Sequence, residues 1–225
     1  MIISIRGTHG SGKSSVMKAL LASYDGAPLF GRLGAKKPEA YELKIEGVGA
    51  PVYILGPYAN ACGGCDAVQP YDIILDLLTH YAARGHVLFE GALVSSSYGR
   101  IGRLMEQWGR QSVFAFLPTP VEECLRRITV RRLARGDERP LNPKNTEGKH
   151  RSIESSRKQV TKAGVLRMVD LDWERPVEGI LTLLREANAP VAGVDQRAGI
   201  DPAVEGPGPT GPMDSGSNPG QVSFL

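Results

Sequence analysis

A short apolar run, Ile2-Ile-Ser-Ile-Arg6, leads directly into Gly7-Thr-His-Gly-Ser-Gly12-Lys13-Ser14. That junction constrains the fold more than any other part of the chain. The octet fits G-x-x-x-x-G-K-[ST] without a mismatch. Its glycines let the backbone wrap an anion with the amide N–H groups pointing inward. A helix beginning at its end turns a positive pole toward the same anion. The flanks supply what the loop needs. Ile2–Arg6 reads as a buried strand, and Val16, Met17, Ala19, Leu20 and Leu21 recur at helical spacing within Ser14–Tyr24. Gly7, Thr8, His9, Gly10, Ser11, Gly12, Lys13, Ser14 and Ser15 are therefore the expected phosphate-binding residues. Lys13 is placed to reach the β- and γ-phosphates of ATP, and the Ser14 hydroxyl to hold Mg²⁺. His9 sits at a variable position of the pattern and carries no chemistry on this reading.

The rest of the chain alternates strand and helix patterns. Residues 25–40 read as loop. Tyr41–Glu46 and Pro51–Gly56 read as a hairpin. Tyr71–Arg84 has a helical stripe stopped by Gly85, and His86–Phe89 is a second buried strand. A serine-rich loop, Val94–Tyr98, precedes a helix at Ile101–Trp108, and Ser112–Leu117 is a third buried strand. Thr119-Pro-Val-Glu-Glu123 opens a helix through about Arg135. Gly136–Lys149 reads as loop, Ser152–Ala163 as helix, Val165–Val169 as a fourth buried strand and Pro176–Ala187 as a last helix. This alternation implies an α/β chain with a parallel sheet flanked by helices, the P-loop NTPase fold.

Composition separates a working domain from a tail. Ala187–Leu225 holds 7 Gly and 6 Pro in 39 residues and a net charge of −3. Such a segment buries too little apolar surface to offset its ordering entropy. The expected organisation is a domain at 1–187 and a disordered tail at 188–225. The formal charge of +3 then becomes +6 for residues 1–186. No run of about 18 apolar residues exists, so no membrane partner is expected. Met1–Arg6 is too short before the glycines to read as a signal peptide, so none is expected. Three cysteines, an odd number, suit a reducing cytoplasm.

Two features bear on the reaction. Glu90 ends the second buried strand, where a carboxylate faces the binding crevice and can orient Mg²⁺ or take a proton. From Arg126 to Lys162 there are 12 basic and 4 acidic residues, a net of +8. Arg127, Arg131 and Arg135 are spaced four apart and share one helix face, with Arg132 and Arg139 alongside. Such arginines neutralise a transferring phosphoryl group, and an arginine-rich lid over about 131–150 excludes water. A solvated charged face is the plainer reading of any one of them. Arg131, Arg132 and Arg135 are the candidate transition-state residues. Cys62-Gly-Gly-Cys65-Asp66 lacks a second CxxC, which leaves little for a zinc site. Its glycines allow close approach to a substrate, and Asp66 is either a second candidate base or a turn former.

The order of phosphate loop, strand-end acid and arginine helix resembles the nucleoside-monophosphate kinases, most of all the thymidylate-kinase-like group. That group usually carries Asp-Arg where this chain has Glu90-Gly91, which counts against plain thymidylate as acceptor. Gly56-Pro-Tyr58, Cys62–Asp66, Leu88–Gly91 and Pro140-Leu-Asn-Pro-Lys-Asn-Thr146 resemble the phage 5-hydroxymethyluridine DNA kinases. The resemblance implies ATP-dependent phosphorylation of a base's 5-hydroxymethyl group in DNA, a step toward hypermodified thymine. Lys13, Asp66, Glu90, Arg131, Arg132 and Arg135 would then be catalytic, and Ser14 and Glu90 would hold the metal. A mononucleotide kinase and a nucleic-acid-stimulated ATPase or binding module stay as alternatives, and a homodimer is left open.

Overall fold

The computed structural model describes residues 1–59, 63–96 and 98–187. Cys62 and the expected tail, 188–225, lie outside the described residues. In chain order, β1 is Ile2–Arg6, α1 Lys13–Ser23, β2 Ala27–Leu29, β3 Ala40–Leu43 and β4 Val52–Leu55. Then come α2 Asp72–Ala82, β5 His86–Glu90, α3 Ala92–Ser96, α4 Gly99–Glu106 and β6 Ser112–Phe116. The last elements are α5 Val121–Leu133, α6 Pro143–Ala163, β7 Arg167–Asp170 and α7 Pro176–Glu186.

One seven-stranded sheet runs in the order β2-β3-β4-β5-β1-β6-β7. It is parallel from β4 to β7 and antiparallel at β2–β3–β4. The expected hairpin forms with Leu43 opposite Val52 and Ala40 opposite Leu55, and its return strand joins the parallel part beside β5. Strand alternation sorts the core into two layers. Ile3 and Ile5 of β1 pack with Leu88, Val113 and Ala115 against Val16, Met17 and Leu20 of α1 and Ile180, Leu183 and Leu184 of α7. Ile2, Phe89, Phe114 and Phe116 point the other way, toward Leu77, Leu78 and Tyr81 of α2, Met105 of α4 and Ile153 and Val160 of α6. Burying each such side chain is worth about 1.5–3 kcal/mol.

Four local expectations differ from the structure. Residues 143–149 are the first turns of α6, with Asn142 Oδ1 accepting from Lys144 N at 3.0 Å and Pro143 in the first turn. The loop after α5 is therefore confined to about residues 134–142. Val165–Val169 becomes β7 at Arg167–Asp170, an edge strand with both end residues exposed. Part of the 25–40 stretch is β2, and Ala92–Ser96 within the serine-rich region is a short helix.

The sheet's centre prepares the site. β1 lies between β5 and β6, with Ile5 opposite Glu90 and Arg6 opposite Phe116. The phosphate-type loop thus leaves β1 at the level where β5 delivers Glu90. Arg6 is fully buried over the Phe114 ring, 3.5 Å from its centroid. It donates to Ser156 Oγ at 3.1 Å and to the Ser95 carbonyl at 3.4 Å, which ties β1 to α6 and α3.

Candidate active site

Gly12 precedes α1 with φ 104°, and no side chain caps that helix. The first amides of α1 are left for an external acceptor. α6 shows the contrast, since Asn142 caps it internally. Gly10, with φ 79°, lets the loop lie on α5: a Cβ there would come 2.5 Å from the Cys124 carbonyl oxygen. Thr119 Oγ1 and Arg127 Nη1 both donate to the Ser11 carbonyl, at 2.9 and 3.3 Å. Thr8 Oγ1 donates to the Thr146 carbonyl of α6 at 3.3 Å. The loop is therefore braced from both helices that flank it.

A cleft of about 660 Å³ opens over this loop. Residues His9 to Ser15 line its floor. Lys13 is buried, with Nζ donating to the Gly7 and Thr8 carbonyls at 2.8 and 3.0 Å. Burial pushes its ammonium below the ordinary lysine value, while Glu90 and Asp66 oppose that shift. Ser14 Oγ donates to Glu90 Oε1 at 2.9 Å. Glu90 is only 1% exposed, and burial raises its carboxyl above the ordinary value, with Lys13 and the Ser14 hydrogen bond pulling it back. A hydroxyl and a carboxylate oxygen at this separation form a hard-oxygen pair of the kind Mg²⁺ takes, the remaining ligands coming from phosphate and water. The uncapped helix, the buried ammonium and this pair fit an Mg²⁺–nucleoside triphosphate.

The glycine-rich segment between β4 and α2 brings Asp66 to the same cleft. Asp66 accepts from Ala92 N at 2.7 Å and Leu93 N at 3.1 Å, so it caps α3. Gly64 makes this approach possible. Its φ is 75°, and a Cβ would stand 2.5 Å from Glu90 Oε1 and 2.8 Å from the Glu90 carbonyl oxygen. Gly64→Ala is expected to displace Glu90 and lower phosphoryl transfer at least about 10²-fold, with stability falling by about 1–3 kcal/mol. Steady-state kinetics and denaturant melts check it, and near-normal turnover would show that the contact is dispensable. Burial, then the Glu90 charge, holds the Cys65 thiol well above its ordinary value, a poor state for a metal ligand or redox nucleophile.

At the other end of the cleft are Arg127, Arg131, Trp173 and Val177. The Arg127 guanidinium lies 5.3 Å from the Trp173 ring centroid, and its Nε donates to Glu123 at 2.6 Å. Arg132 and Arg135 do not line the cleft. Arg132 is bound to Asp137 at 3.0 and 3.1 Å, and Arg139 grips the same carboxylate at 2.8 and 3.0 Å. Arg135 is exposed. The structure therefore gathers Lys13, Ser14, Asp66, Glu90 and Arg131, and leaves Arg132 on the last turn of α5 and Arg135 in the turn beyond it, both off the cleft.

Four neighbours were not singled out as site residues from the sequence. Arg127 stood on the arginine stripe but was assigned no role. Trp173 sits 46 positions further along and carries no motif. Lys149 of α6 donates to Ser96 Oγ at 2.7 Å. It acts electrostatically on His9, whose imidazole is held below its ordinary value by burial, then by Lys13, Lys149 and Arg131. Tyr58 is buried close to Glu90, and burial followed by that charge keeps its phenol protonated.

No protein-family model matches the chain. It is 35% identical over 185 residues to a 5-hmdU DNA kinase of Pseudomonas phage PaMx11, an alignment covering 81% of this chain and 96% of that protein. A protein of the same name from Pseudomonas phage M6 is 26% identical over 193 residues, again covering 81% and 96%. A solved deoxyadenosine kinase from M. mycoides with bound dATP aligns with a TM-score of 0.43 and 14% identity, over 82% of this chain and 99% of that one. No described helix is long and apolar enough to cross a membrane. With more than a third of positions identical along nearly the whole length of one curated relative, this kinase belongs to the family of 5-hmdU DNA kinases.

Proposed function

We propose that the protein transfers the γ-phosphoryl group of ATP to the 5-hydroxymethyl oxygen of 5-hydroxymethyldeoxyuridine in DNA. The observation that carries this reading is the Ser14–Glu90 pair at the mouth of an uncapped helix, with Asp66 at the same rim. The acceptor is taken from the names of the curated relatives.

Bound Mg²⁺–ATP supplies the phosphoryl group and screens its charge. Lys13 exchanges the Gly7 and Thr8 carbonyls for phosphate oxygens. Ser14 and Glu90 would hold the metal. The Glu90 carboxylate also takes the proton of the acceptor's primary hydroxyl, whose oxygen bonds to the γ-phosphorus as the bridge to the β-phosphate breaks. Asp66 accepts an α3 amide on each of its oxygens, which holds it as a shaping residue of the acceptor rim, and Glu90 is assigned as the base. Arg131 and Lys149 neutralise the transferring group from above. Arg127 and Trp173 form the wall for the nucleotide's base. The turn between α5 and α6, stiffened by Arg132–Asp137–Arg139, is the tip of the lid over about 131–150.

The test is label transfer from γ-labelled ATP. Expected is label on an oligonucleotide containing 5-hydroxymethyluracil, and none on the thymine oligonucleotide, dTMP or dUMP. Label confined to a free monophosphate would overturn the DNA acceptor. Phosphate release stimulated by DNA, with no labelled acceptor, would replace a kinase cycle with an ATPase.

A further inference from the structure

The tip between β2 and β3 has no place in the chemistry above, yet one of its side chains reaches the segment that carries Asp66. Phe30–Lys37 reads F-G-R-L-G-A-K-K, with three cations and no acid. It is a built turn. Gly31 and Gly34 form a bridge, with Gly34 N donating to the Gly31 carbonyl at 2.9 Å. Arg32 N donates to Glu39 Oε2 at 2.5 Å, and its guanidinium reaches Glu39 Oε1 at 3.4 Å. Tyr81 Oη holds the same carboxylate at 2.8 Å. Leu29 and Leu33 pack inward on the core.

That anchoring leaves Phe30 facing outward, 51% exposed on a tip whose other apolar side chains are used. Lys36 is also exposed, and no described ion pair includes it. Lys37 Nζ donates to the Ala67 carbonyl, one residue after Asp66. The tip is thus fastened to the segment that forms the acceptor rim. An exposed aromatic on a rigid turn, flanked by cations, is the arrangement that holds a single-stranded nucleic acid by base stacking and phosphate neutralisation.

We infer that the Phe30–Lys37 tip is a DNA-contacting surface: Phe30 stacks on a base next to the modified one, and Lys36 and Arg32 contact the strand's phosphates. The inference rests on the DNA acceptor proposed above. A base presented to a buried carboxylate must leave its stack, and the unstacked flank needs a platform. A tip that instead meets a protein, or only solvent, predicts no change in DNA handling.

The experiment uses the full chain, as wild type, Phe30→Ala and Lys36→Glu. Two quantities are measured on one single-stranded oligonucleotide containing 5-hydroxymethyluracil: affinity by fluorescence anisotropy, and KM and kcat for phosphoryl transfer. Each variant is expected to weaken DNA binding about 10-fold and raise the DNA KM in step. KM for ATP should stay unchanged. Lys36→Glu should also flatten the salt dependence of binding, by about 0.7 in log–log slope per lost contact. Equal DNA affinity and KM in all three proteins would overturn the inference. If wild type leaves the oligonucleotide unlabelled, the acceptor reading falls. The anisotropy series then still decides the tip, because it needs no turnover.

Discussion

Lys13→Ala is expected to reduce phosphoryl transfer about 10³-fold while leaving the fold intact or slightly firmer. The two halves have one physical origin. Lys13 is buried with its ammonium turned back on the Gly7 and Thr8 carbonyls. Burial lowers its pKa despite the opposing charges of Glu90 and Asp66. A lysine whose folded pKa is depressed opposes folding while it is charged, and that cost disappears above its unfolded pKa. At neutral pH the wild-type chain therefore carries a destabilising cation that only a bound phosphate rewards. The variant should melt at or above the wild-type temperature without ligand and lose the upward Tm shift that Mg²⁺–ATP gives the wild type. Thermal melts with and without nucleotide, beside turnover, check both halves. Full phosphoryl transfer by the variant would remove the nucleotide assignment altogether.

What the sequence made legible follows the range of the interactions involved. β1, the phosphate loop and α1 form one continuous stretch, and each part is specified by its neighbours. Glu90 could be placed because it ends a buried strand, and strand ends in a parallel sheet share one crevice. The later part of α6 is legible as Ser152–Ala163, and its first turns carry a local signal as well. Asn142-Pro143 is a cap followed by a first-turn proline, but two prolines in a polar stretch suit a loop equally well. α3 was not legible locally. Ser95 and Ser96 favour non-helical backbone. Here their hydroxyls fold back onto the Gly91 and Ala92 carbonyls, at 2.6 and 3.1 Å, while Asp66 caps the helix from 26 positions away.

The arginine stripe shows the same limit. Spacing alone put Arg127, Arg131 and Arg135 on one face, but α5 ends at Leu133, so Arg127 and Arg131 reach the cleft from the helix and Arg135 falls in the turn beyond it. Spacing could not say that Trp173 would meet Arg127, or that Asp137 would pair with both Arg132 and Arg139. Those outcomes depend on which acid or aromatic the tertiary fold delivers. An arginine's charge is a property of the sequence, but its availability to a substrate is a property of the fold.

Glu90 makes the sharpest test of the chemistry, because one substitution moves rate, pH profile and stability in different directions. Glu90→Gln keeps the shape and an acceptor for Ser14 but removes the charge. Turnover should fall about 10²–10⁴-fold, as for loss of a positioned base. Burial raises the Glu90 carboxyl above the 4.5 of an unperturbed glutamate, so the acid limb of wild-type kcat/KM, which reports the free enzyme, should have its midpoint above that value. In Glu90→Gln that limb should vanish from the residual activity. Stability follows the opposite sign. A carboxyl with a raised folded pKa contributes stability that is fully present below its unfolded pKa and lost as pH rises through its folded pKa. Wild type and Glu90→Gln should melt together in acid, and the variant should gain at neutral pH. A variant with the wild-type rate and acid limb would assign the proton to another group, with Asp66 the nearest candidate. An unchanged limb on a slower enzyme that recovers at high Mg²⁺ would leave Glu90 only its metal-holding role.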